Sequence, residues 1–246
     1  MQALGKGAVQ QCSQELRRWG TVRLEGLTDR DAAARFAARV MRIQRSPESG
    51  PDGLASTGKT STRQAITSTR TVAPVSPATA GAGQADPPRL VLLACLRAPT
   101  HGVPVRLVDG RRVYRELQRR YPVSAVVFSD EAAALFAGRG GGVRSPVFAR
   151  GTDGRVAFRM GARGCVRWCP AAAVRLGDLE EAVRMASCTV HLRAGQGLLL
   201  DNHRWASCLL RAAGPRRLVH AAGAEQLAIT LPYGFSPAPL STRSGL

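Results

Sequence analysis

The sequence predicts a mainly β protein, a barrel or sandwich of strands with helices inserted between them. Three observations carry that prediction. Short apolar or alternating runs recur along the chain, as at 21–27, 90–96 and 198–200. Turn residues separate them, as in Thr152-Asp153-Gly154 and Asp201-Asn202. Helical segments fall between strands without the regular strand–helix–strand alternation of a parallel sheet.

The elements follow in order. Residues 12–19 form a short amphipathic helix anchored by Leu16 and ended by Gly20. Thr21–Leu27 alternates apolar and polar residues and reads as a strand. Thr28, with Asp31 three residues on, looks like a capping box for a helix over 29–43, whose apolar face is Ala32, Phe36, Val40 and Ile43. Asp86-Pro87-Pro88 is a turn before a buried strand. A strand or extended loop follows at 102–108, then a turn at Asp109-Gly110 and a helix over 112–120 closed by Pro122. A short helix is expected at 130–137, and Gly138 to Gly142 is a break. Residues 145–149 and 155–159 flank Thr152-Asp153-Gly154 as a hairpin. Residues 176–186 form a helix, followed by strands at 189–192, 198–200, 218–222 and 228–231. Leu198, Leu199 and Leu200 form a continuous apolar run, expected for a strand buried on both faces.

Residues 46–86 differ in character. They are dense in Ser, Thr, Gly, Pro and Ala, which reads as a flexible or insert-like segment over 44–86. Gly53 and Gly58-Lys59-Thr60 match the spacing of a phosphate loop, but no apolar strand precedes them and no long apolar helix follows. The organisation expected is one domain over 1–231 with a tail at 232–246.

The 246 residues carry a net charge of +18, almost all of it arginine, with lysine only at Lys6 and Lys59. The arginines are dispersed along the chain and aromatics are 5%, so a nucleic-acid footprint of clustered charge and aromatics is not expected. The N-terminus has no signal-peptide apolar core, and the longest apolar run is too short to span a bilayer. Six cysteines include one close pair, Cys165 and Cys169, without the further ligands of a zinc site. A cytoplasmic protein with free thiols and no membrane partner is the expectation.

Four stretches, in order, carry a resemblance: DPPRLVLLACLRAP, LVDGRRVYRELQRRYP, SPVFARGTDGRVAFR and LRAGQGLLLDNHRWASCLLRAAGPRRLVHAA. Together they resemble the taurine dioxygenase/clavaminate synthase-type superfamily of iron(II)- and 2-oxoglutarate-dependent oxygenases, over roughly residues 20–231. The resemblance implies a double-stranded β-helix, or jelly-roll barrel. It also implies iron held by two His and one carboxylate, with positions left for 2-oxoglutarate and oxygen. A role in biosynthetic secondary metabolism is the setting it suggests.

The implied ligand positions do not carry ligands. Where the family has its His-x-carboxylate pair, this chain has Ala78-Thr79-Ala80. Where the distal His is expected, it has Ser207. Alanine has no donor atom, and a serine hydroxyl is a poor iron ligand near neutral pH. Arg217 fits the place of the arginine that grips the distal carboxylate of 2-oxoglutarate, while a second arginine position is Ala221, beside His220. Other donors that could rebuild a site are His203, His191, His101, Cys208, Asp86 and Asp201.

Three functional readings follow. The first is an altered or inactive superfamily member that retains a small-acid pocket and binds a small acid, another small molecule or a partner through it. The second is an active Fe(II)/2-oxoglutarate dioxygenase that hydroxylates a small amine or amino-acid-like metabolite through unusual ligands. The third is a metal-free enzyme that reuses the pocket, with His203 and Ser207 as catalytic candidates and Cys208 and Arg217 as further polar groups. An interaction protein driven by basic charge stands outside these three. The oligomeric state is left open.

Overall fold

The computed structural model describes residues 6–57, 76–138, 141–211, 214–227 and 229–237. Gly58, Lys59 and Thr60 of the phosphate-loop-like motif lie outside them. The fold is mainly β with a few helices.

Helix α1 (Lys6–Trp19) leads into strand β1 (Thr21–Leu27). Helix α2 (Arg30–Val40) is capped by Asp29, one residue later than expected, whose Oδ1 accepts from the Ala32 amide at 2.7 Å. The expected continuation of this helix to Ile43 does not occur. Met41–Ile43 is strand β2, paired with β14 (Arg217–Glu225), and Met41 has an extended backbone. A ladder to a distant strand overrides the local helical period here. Gly223 of β14 sits directly against Arg42, and a Cβ there would collide with the Arg42 carbonyl.

The main sheet has the order β1-β12-β4-β14-β2, with β12 spanning Gly195–Asp201 and β4 spanning Leu90–Arg97. Strand β3 (Ala55–Thr57) adds to β14, so part of the Ser/Pro-rich segment is woven into the sheet. A second sheet orders β11 (Ser187–Leu192), β5 (Val103–Asp109) and β13 (Trp205–Leu209).

Alternation along β4 and β12 fixes the layers. Leu90, Leu92, Ala94 and Leu199 pack with Phe36 and Val40 of α2. Leu93, Cys95, Leu198 and Leu200 instead pack with Val103, Val105 and Leu107 of the second sheet. The triple-leucine run is therefore buried on both faces.

Helix α3 (Gly110–Arg120) continues into a separate turn of helix, α4 (Pro122–Val127), with Pro122 opening the second helix as well as closing the first. The helix expected at 130–137 is replaced by a turn and strand β6 (Ala134–Phe136). This strand is central between β7 (Val143–Ser145) and β10 (Val166–Trp168), and pairing on both edges outweighs the local helical preference. The expected hairpin forms as β8 (Phe148–Arg150) and β9 (Val156–Phe158). Helix α5 (Pro170–Ala173), capped by Cys169, and helix α6 (Leu176–Met185) follow. Residues 229–231, expected within a closing strand, are irregular, although Ile229 is buried against the α2 side of the core. Among the described residues no helix is long and apolar enough to cross a membrane.

Candidate functional site

A cavity of about 280 Å³ opens between the two sheets. Its apolar wall comes from Val91 and Leu93 of β4, Val105 of β5 and Leu200 of β12. Residues 78–80 and β13 close the opposite part. Ala78 and Ser207 are paired as an antiparallel bridge, each amide donating to the other's carbonyl at 3.1 and 3.0 Å. Thr79 is tied to Met160 by its amide, at 2.8 Å, and by its hydroxyl. Alternation then leaves Ala78 and Ala80 on the same side of the segment, and both line the cavity with Ser207.

Asn202 holds this arrangement in place. Its Oδ1 accepts from the Ala80 amide at 2.8 Å, and its Nδ2 donates to the carbonyls of Ala80 and Pro88 at 2.9 and 2.7 Å. The side chain is fully engaged by backbone, which gives the turn residue a clamping role. The neighbouring Asp201 is buried and paired with Arg89, whose Nη2 donates to Oδ2 at 3.0 Å and to the Pro232 carbonyl at 2.6 Å. Burial pushes the Asp201 carboxyl up, and Arg89 and the His203 amide oppose that push.

The two catalytic candidates are not brought together. Ser207 is on the cavity wall, but His203 is not. The His203 ring packs edge-on to Tyr233, and its Nδ1 lies 3.2 Å from Arg89 Nη1. Arginine can only donate, so Nδ1 accepts and the proton sits on Nε2. Burial, followed by the charges of Arg89 and Arg159, lowers the His203 pKa to about 3. The ring is neutral at pH 7, and its basic nitrogen is already engaged.

A pH prediction follows. The unfolded imidazole titrates near 6.5 and the folded one near 3, so the unfolded state binds more protons between those values. The contribution to stability is complete above about pH 6.5 and is lost as pH falls, at up to ~1.4 kcal/mol per pH unit. His203→Gln keeps an acceptor for Arg89 and cannot titrate. Urea unfolding at stepped pH should show a shallower acid slope for this variant than for wild type; parallel slopes would contradict the assignment.

Arg217 heads β14 and is exposed, outside the cavity wall. Parity along β14 from Leu218 instead brings His220 to the wall, and burial lowers its pKa. The sequence signal for His220 was this two-residue period. Cys208 also lines the cavity, and burial raises its thiol pKa, which disfavours the thiolate. His101, His191 and Asp86 are exposed, and none lies on the wall. Among the described residues, no three His, Cys, Asp or Glu side chains are grouped to hold a metal ion.

No family model matches the sequence, and a sequence search of curated proteins finds no match. Solved structures do match. A taurine dioxygenase from Burkholderia xenovorans superposes with a TM-score of 0.70 at 16% identity, over 92% of this chain and 84% of its own. Asparagine oxygenase in complex with Fe(II), 2S,3S-3-hydroxyasparagine and succinate gives 0.63 at 16% identity, over 89% and 79%. The non-heme iron oxygenase OrfP, in complex with Fe, succinate and (3S)-hydroxy-L-Arg, gives 0.66 at 14% identity, over 89% and 82%. The chain thus has the fold of these solved taurine dioxygenase, asparagine oxygenase and non-heme iron oxygenase structures.

Proposed function

We propose that this protein is a divergent member of the taurine dioxygenase-like superfamily of Fe(II)/2-oxoglutarate oxygenases, a jelly-roll oxygenase scaffold that has lost the iron triad and keeps the cavity as a small-molecule pocket. One observation carries the reading. Ala78, Ala80 and Ser207, the positions that the resemblance aligns with the metal ligands, line one cavity, with Ala78 and Ser207 bridged through their backbones. They supply two methyl groups and one hydroxyl. That donor set does not fit iron, which in this family requires two imidazoles and a carboxylate. Cys208 and His220 add a protonated thiol and a neutral imidazole, and among the described residues no carboxylate lies beside them on the wall.

Among the described residues the cavity wall is mostly apolar and carries no charged side chain. It therefore suits a neutral or weakly polar small molecule, with Ser207 and His220 to orient it. Arg217, the residue that the resemblance implies for an acid ligand, lies outside the wall.

Anaerobic titration with Fe(II) and 2-oxoglutarate tests the proposal. The expected result is no metal-to-ligand charge-transfer absorption near neutral pH, and the appearance of that band in the wild-type protein would overturn it. Calorimetry with 2-oxoglutarate alone, on wild type and Arg217→Ala, separates the acid-binding part of the reading. Binding abolished by the substitution would assign Arg217 to a carboxylate, and no binding would leave the cavity to uncharged ligands.

A further inference from the structure

A second cavity, of about 290 Å³, lies on the other side of the β12 end. Asp201 faces this cavity, whereas Leu200 and Asn202 face the first. Five arginines line it: Arg17 and Arg18 at the end of α1, Arg111 on α3, Arg155 before β9, and Arg204 before β13. The only acidic residue on the wall among the described residues is Asp201, and Arg89 already meets its charge. Asp109 pairs with Arg204 through two hydrogen bonds of 2.9 and 2.8 Å. Arg17 donates to the Thr230 carbonyl at 2.9 Å, and Arg155 donates to those of Tyr233 and Gly234 at 2.7 and 2.9 Å. A carbonyl orients a guanidinium without neutralising it.

Several fixed positive charges around one hollow raise its potential and favour an anion there. Arg111 is only 7% exposed, and its pKa is lowered by burial and then by Arg204 and Arg115 nearby. The lining arginines come from α1, α3 and the segments before β9 and β13. A phosphate offers acceptor oxygens in several directions and up to two charges, whereas a carboxylate presents two oxygens in one plane.

We propose that this arginine-lined cavity binds the phosphate group of a small phosphorylated molecule. The site is separate from the pocket between the sheets and does not depend on the function proposed for it.

Calorimetric titration with inorganic phosphate, at ionic strength matched by chloride, tests the proposal. Wild type should bind phosphate. The double variant Arg18→Gln/Arg155→Gln removes two lining charges and should weaken binding at least about tenfold. Arg18→Gln alone, at an exposed position, should show part of that loss with an unchanged thermal unfolding curve. Arg23→Gln, an exposed position on β1 outside this wall, should bind as wild type does. Three results would overturn the proposal: no phosphate binding by wild type, equal loss in Arg23→Gln, or binding of succinate in preference to phosphate.

Discussion

The triple variant Ala78→His/Ala80→Asp/Ser207→His should bind Fe(II) at least about a hundredfold more tightly than wild type, which on the proposed function has no triad at these positions. The backbone needed to present such a set is already in place. Residue 78 is bridged to residue 207, residue 80 is clamped by Asn202, and Thr79 pins the segment to Met160. Removing a hydrogen-bond partner of a ligating side chain commonly changes metal affinity by roughly 10–100-fold, and adding the ligating atoms themselves should exceed that. The cavity wall is apolar around these positions, so the added side chains find few competing polar partners. Anaerobic Fe(II) titration, followed by 2-oxoglutarate, measures the gain through the charge-transfer absorption. Equally weak binding by wild type and the variant would show that these three positions cannot present a metal site.

Arg89→Met should destabilise the fold by about 3–5 kcal/mol, because it leaves a buried carboxylate without its cation. The Arg89 and Asp201 side chains are 10% and 6% exposed, so little solvent screening is available to either. Arg89 also donates to Pro232 and His203, tying the end of β12 to the chain beyond β14. In a domain of this size the loss corresponds to roughly 10 °C in Tm. The double variant Arg89→Met/Asp201→Asn should recover part of that stability, because the uncompensated charge is gone while the acceptor for the His203 amide remains. In the single variant, Asp201 will have a folded pKa above its unfolded value. Its deficit is then present near neutral pH and shrinks as pH falls through that raised pKa. Urea unfolding of the single and double variants at two pH values measures both effects. A single variant within about 1 kcal/mol of wild type would show that the pair contributes little.

Much of the fold was legible from neighbouring residues. The triple leucine at 198–200 indicated a strand covered on both faces, and it is sandwiched between α2 and the second sheet. Thr152-Asp153-Gly154 indicated a hairpin that forms between β8 and β9. The alanines at 78 and 80 and Ser207 were picked out by motif order, and the chain path brings all three to one cavity.

Other features depended on distant partners. Residues 41–43 have a helical period but join β14, and residues 134–136 become the middle of a three-stranded sheet. His203 and Ser207 are four apart in sequence, yet the turn after β12 sends one ring to Arg89 and Tyr233 and the other side chain to the cavity. Arg17, Arg18, Arg111, Arg155 and Arg204 look dispersed along the chain but surround one hollow. The sequence by itself determined the strand-rich character and the turns, because period and turn chemistry act between close neighbours. Only the tertiary structure decided which faces meet and which charges gather, because hydrogen-bond ladders and electrostatic fields act between residues that the chain path, not sequence proximity, brings together.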